Sequence, residues 1–121
     1  MEISVDVWVR GTDFATTALI TEIATEPSAW TEMDVSTVLK QMLLALYRAR
    51  NPGDEVDREV FLRGFNWIVN PFEDAGVVIA IEMQTGAAVA GPFQIDKGEL
   101  EGMITRAIAA NTSAEKDRAV H

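Results

Sequence analysis

The strongest constraint on the fold comes from residues 31–51. Val35, Val38, Leu39, Met42, Leu43, Leu46 and Tyr47 recur at i, i+3, i+4, i+7, i+8, i+11 and i+12, the spacing that aligns side chains into one stripe along an α-helix. Thr31-Glu32-Met33-Asp34 has the form of a capping box, in which the threonine hydroxyl accepts from the amide three residues on and the acid reaches back. Trp30 and Val35 occupy the two positions of a hydrophobic staple around it. Arg48 and Arg50 suit the negative end of the helix dipole, and Asn51-Pro52-Gly53 stops the helix. These features predict a helix over 32–50, whose apolar stripe has to be buried against another layer.

The rest of the chain supplies that layer. Ile3, Val5, Val7 and Val9 alternate with Glu2, Ser4, Asp6, Trp8 and Arg10, a half-buried strand, and Gly11-Thr12-Asp13 turns the chain. Residues 14–26 carry two signals. Five threonines from Thr12 to Thr25 favour an extended chain, whereas the pairs Ala18-Leu19, Thr21-Glu22 and Ile23-Ala24 repeat with a near-helical period. We take the segment as a strand that pairs back on the first. Asp54 to Glu59 reads as a charged loop. Val60 to Val69 reads as a strand ended by Asn70-Pro71, and Val77 to Met83 as a second strand. Gln84-Thr85-Gly86 is a tight turn, and Ala87 to Ile95 a third strand, which completes an antiparallel meander. Asp96 to Glu99 repeats the capping pattern, with Ile95 and Leu100 as the staple. Leu100, Met103, Ile104, Ala107 and Ile108 then give a helix over about 97–110, with Asn111 as its C-cap.

The order is strand, strand, helix, three strands, helix. It predicts an α+β fold with two layers, an antiparallel sheet of about five strands carrying both helices on one face. Residues 1–111 are expected to form a single domain and residues 112–121 a disordered C-terminal tail.

Charge and inventory then narrow the function. The net charge is −9. Residues 1–39 hold seven acids against one base, residues 73–121 eight acids against four bases, and only residues 40–72 reverse the balance, with five bases against four acids. Those five are interleaved with Asp54, Glu55, Asp57 and Glu59, so no basic field suited to nucleic acid forms, and an anionic membrane repels such a surface. A partner selected by electrostatics is basic, with Asp6, Glu22 and Glu26 as steering acids. The longest mainly apolar run, Gly76 to Ile81, is strand-sized, and the first residues lack the basic start of a secretory signal. Together with the absence of cysteine, these features predict a soluble cytoplasmic protein.

Without cysteine there are no thiolate nucleophiles or cysteine metal ligands. The one histidine is His121, on the segment expected to be mobile, where it cannot be held against a proton as a general base must be. No Walker or dinucleotide-binding glycine pattern is present, so neither a cofactor nor a metal is implied. Carboxylates remain. Glu82 sits in an apolar strand, as a buried acid or a solvent-facing one beside a turn, and Glu73-Asp74 lies in a turn without the ladder of a calcium loop.

The aromatic segment 60–69 offers more. Strand alternation puts Phe61, Arg63, Phe65, Trp67 and Val69 on one face and Val60, Leu62, Gly64, Asn66 and Ile68 on the other, yet one helix layer covers a single face. Exposed aromatic and arginine side chains are characteristic of protein interfaces. The resulting expectation is a non-catalytic protein-binding, adaptor or chaperone-like module with an acidic surface, homodimeric, with Arg63, Phe65, Trp67 and Trp8 as interface candidates. One alternative is a small-molecule-binding domain with an apolar pocket between the sheet and helix 32–50, for which Met42, Met83, Glu82 and Trp67 are the candidates. A carboxylate-based or hard-metal enzyme using Glu82 with Glu73 or Asp74 is the third reading.

Overall fold

A computed structural model describes residues 2–21, 23–53 and 60–119, with side chains up to residue 112. The loop expected at Asp54 to Glu59, the acid Glu22 and the histidine His121 lie outside the described residues. Strands β1 (Ile3–Val9) and β2 (Ala15–Ile20) precede a short 3-10 turn (Pro27–Ala29) and helix α1 (Glu32–Arg50); β3 (Asn66–Pro71), β4 (Val77–Met83) and β5 (Gly86–Phe93) lead to α2 (Lys97–Ala119). All pairings are antiparallel, and the five strands lie in the order β2-β1-β5-β4-β3. The α+β class, strand number and element order are those expected from the sequence.

The capping box forms as read. The Thr31 hydroxyl accepts from the Asp34 amide (3.4 Å), and the Asp34 carboxylate accepts from the Thr31 amide (2.9 Å). Val35, Val38, Leu39, Met42, Leu43 and Leu46 are buried along α1, and burial of side chains of this size contributes roughly 1.5–3 kcal/mol each. They meet Val5 and Val7 of β1 and the small Ala88 and Ala90 of β5 in one core, as α1 packs on β1, β5 and β2. Helix α2 lies beside α1 and over β3, with Leu100, Met103, Ile104 and Ala107 buried. Trp30 closes one end. Its ring meets that of Phe93 edge-on at 4.8 Å, and its indole N–H donates to the Thr25 carbonyl (2.8 Å).

Several boundaries differ from the sequence reading, among them that of segment 14–26, whose strand is confined to Ala15–Ile20. The strand expected at Val60–Val69 is confined to Asn66–Pro71. Gly64 takes a positive φ of 76° and the Arg63 amide donates to the Phe61 carbonyl (2.9 Å), so the chain turns before the strand begins and strict alternation does not run through 60–65. Leu62 consequently enters the core although it belonged to the face opposite Trp67. Pro71, expected to end the strand, is its last residue, on an outer strand where a missing amide costs no ladder bond. Helix α2 continues to Ala119 instead of ending at 110. Asn111, expected as its C-cap, sits within it, and its side-chain carbonyl accepts from the Leu62 amide (2.7 Å). The third strand also ends earlier, at Phe93 rather than Ile95.

Two substitutions test this account. A Cβ at Gly76, whose φ is 117°, would lie 2.1 Å from the Phe93 carbonyl oxygen, so Gly76→Ala is expected to cost more than about 1 kcal/mol in urea unfolding. Asn111→Ala leaves the half-buried Leu62 amide without its acceptor and is expected to cost roughly 1–3 kcal/mol, with faster hydrogen exchange at that amide. Unchanged exchange at Leu62 would refute the tie between α2 and the 60–65 segment.

Candidate functional site

Both helices lie on one side of the sheet, which leaves its other side open. The strand register sets two rows across that open side. Ile68, Ala80, Val89, Asp6 and Thr17 stand opposite one another in turn, and beside them run Asn66, Glu82, Ala87, Trp8 and Ala15. Ile68, on the edge strand β3, is 51% exposed, and Val89 and Trp8 are 38% and 41% exposed on the inner strands β5 and β1, which is high for large apolar side chains in a sheet. Ala80 and Ala87 are small, and between them and the flanking Ile68, Val89, Asn66 and Glu82 lies a depression of about 290 Å³. Its floor is apolar.

Two carboxylates flank this dent. Glu82 is exposed at its rim, and Asp6 is exposed on the row beyond Val89. The Thr17 hydroxyl donates to Asp6 (2.9 Å), which fixes that carboxylate on the surface. Given two strand spacings and two residues of offset, the Glu82 and Asp6 backbones are roughly 12 Å apart. That spacing suits two separate cations of a larger partner. Trp8 closes the adjacent edge. Its indole N–H donates to the Thr12 carbonyl (3.1 Å), while the Thr12 hydroxyl donates to the Val9 carbonyl (2.7 Å), so the β1–β2 turn holds the ring in place.

The sequence-derived candidates divide among three places. Trp8 belongs to the open side. Phe65 and Trp67 are half-buried and pack against the core on the helix side, so the exposed aromatic face expected there is not formed by them. Arg63 is exposed, its guanidinium 5.3 Å from the centre of the Phe61 ring. Met42 is fully buried, and the space expected around it is filled by core side chains. Met83 is half-buried and borders a cleft of about 330 Å³ at the end of α1, together with Phe61, Arg63, Leu43 and Tyr47. Glu82 faces solvent, the second of the two positions considered for it. Glu73, with φ 50°, and Asp74 are exposed in the β3–β4 turn. Among the described residues no three His, Cys, Asp or Glu side chains cluster in a way that could hold a metal ion.

Ile68, Ala80 and Val89 were not singled out from the sequence. Their signal is the alternation in 77–83 and 86–93. Once both helices are assigned to one side, every second residue of these strands faces water. No protein-family model, curated protein or solved structure matches this chain.

A pair of substitutions separates the two faces. Trp67→Ala is expected to lower the unfolding free energy by about 2–4 kcal/mol, whereas Ile68→Ser, one residue away, should change it by less than about 1 kcal/mol. An equally large loss for Ile68→Ser in urea denaturation would show that the side described as open is covered.

Proposed function

We propose that this chain is a non-catalytic protein-binding module whose open sheet face recognises a basic, partly apolar segment of another protein. The observation that carries the reading is the dent over Ala80 and Ala87, with Glu82 at its rim and Asp6 one row away. Arginine and lysine side chains combine an aliphatic stem with a charged head. In this site the stem lies on the alanine floor against Ile68 and Val89, and the head reaches Glu82. Trp8, beside Ala87, offers an aromatic ring whose face attracts a second such group. The charge of the whole chain favours the same class of partner, since −9 at neutral pH accelerates encounter with cations and repels anions. Among the described residues no helix is long and apolar enough to cross a membrane.

The small-molecule reading is supported by a different place, the cleft beside Phe61 and Met83, and not by Met42. Both readings are tested in one titration. A short peptide of alternating leucine and arginine is added to isotopically labelled protein, and a leucine–glutamate peptide serves as control. The expected result is amide shifts concentrated at Ala80, Glu82, Ala87 and Val89 for the basic peptide only. Glu82→Gln should weaken that binding, and so should raising the salt well above physiological ionic strength. Equal binding of the acidic peptide, or shifts confined to Phe61 and Met83, would overturn the open-face reading.

A further inference from the structure

The strand order leaves β2 and β3 at the two edges of the sheet, and they differ in how they are guarded. β3 ends in Pro71, includes Asn66 and Asn70, and is packed by α2. β2 reads Ala15-Thr16-Thr17-Ala18-Leu19-Ile20, with no charge, proline or glycine. An exposed edge without those devices is a template for another strand. Two further observations mark the same edge. Thr16 stays exposed although it lies in the row of Val7, on the helix side, and a groove of about 240 Å³ runs there between β2 and α1, floored by Val7 and Ala18 and walled by Ala45, Ala49 and Arg48. On the opposite side Leu19 is 59% exposed, and Phe14, immediately before the strand, is 66% exposed.

We propose that β2 is the self-association edge, pairing antiparallel with β2 of a second copy across a twofold axis perpendicular to the sheet. Charge selects this occupant. In a chain of net charge −9, Ala15–Ile20 is a neutral strand, so two copies meet here without placing carboxylate against carboxylate, and a basic peptide finds no acid on the strand itself. Antiparallel pairing also sets Asp13 of each copy at opposite ends of the junction. The axis keeps both helix layers on one side. Residues of the Thr16–Ala18–Ile20 row then face the same row of the partner over the grooves beside α1, while Leu19 packs near Thr17 and Leu19 of the second copy, at cross-strand and diagonal distances. Two five-stranded sheets become one continuous sheet.

This inference takes up the homodimer expected from the sequence and is separable from docking on the open face. Sedimentation at tens of micromolar should give the mass of two 13.3 kDa chains. Leu19→Lys, which sets like charges together at the junction, should give one chain with an unchanged circular dichroism spectrum, and Asn70→Lys on the β3 edge should remain a dimer. Hydrogen exchange on the unmodified protein guards against a misfolded variant: the Thr16, Ala18 and Ile20 amides face β1, so protection of the outward Thr17 and Leu19 amides should rise with protein concentration. A monomeric wild type, a dimer that survives Leu19→Lys, or a dimer lost in Asn70→Lys overturns the proposal. A monomer that still binds the basic peptide at Glu82 would remove the β2 junction and leave the open-face reading standing.

Discussion

Everything in this structure depends on the pairing of β1 with β5. The hairpin β1–β2 and the meander β3–β4–β5 are each local in sequence, and each alone is too narrow to seat α1. Joining them through Val5, Val7, Ala88 and Ala90 creates a surface wide enough for the helix stripe. The alanines at its centre let α1 approach closely. The junction tolerates little change. A Cβ at Gly86 would lie 2.1 Å from the Trp8 carbonyl oxygen, so the strands meet where only glycine fits. Once this pairing exists, α1 covers its middle and α2 fills the space over β3, and among the described residues no third α-helix covers the other side.

What could be read from the sequence follows from range. Interactions within a few residues are legible because their geometry is encoded locally. The Thr31–Asp34 box, the α1 stripe and the alternation in β1 and β4 all appear where periodicity places them. Segment 60–69 was misread because it is locally strand-like but is settled by distant partners. Leu62 is drawn into the core and its amide is taken by Asn111, 49 residues away. Asn111 was read as a helix stop for the same reason, since an asparagine that ends a helix and one that caps a distant loop look alike in sequence. The face of each aromatic residue inherits this ambiguity: a turn at Gly64 decides that Phe65 and Trp67 face the core and Ile68 faces water.

The chemistry of the open side fits the inventory of the chain. Glu82 and Asp6 are exposed, with their backbones roughly 12 Å apart. The same exposure suits recognition, because a surface acid flanking an apolar dent loses little of its hydration until a cation arrives. Apolar area and charge then play different roles. In the proposed function, Ile68, Val89, Ala80 and Ala87 would supply non-directional attraction, and the carboxylates would discriminate by sign and position.

Edge and face also bear on one another. With a twofold axis perpendicular to the sheet, both open faces look the same way, so a β2 junction makes one platform with two dents. Each dent is centred on β4, three strands in from the edge, which would separate the pair by roughly 34 Å at ordinary strand spacing. A shallow site of this kind binds a single side chain weakly, because little area is buried and the carboxylates are solvated. Two such sites held in a fixed relation convert the second contact into an intramolecular one, provided the partner's basic groups span the distance. Dimerisation through an uncharged edge, as proposed, would therefore strengthen the proposed recognition by the open face without adding a contact to it, and the separation of the dents would limit which partners gain.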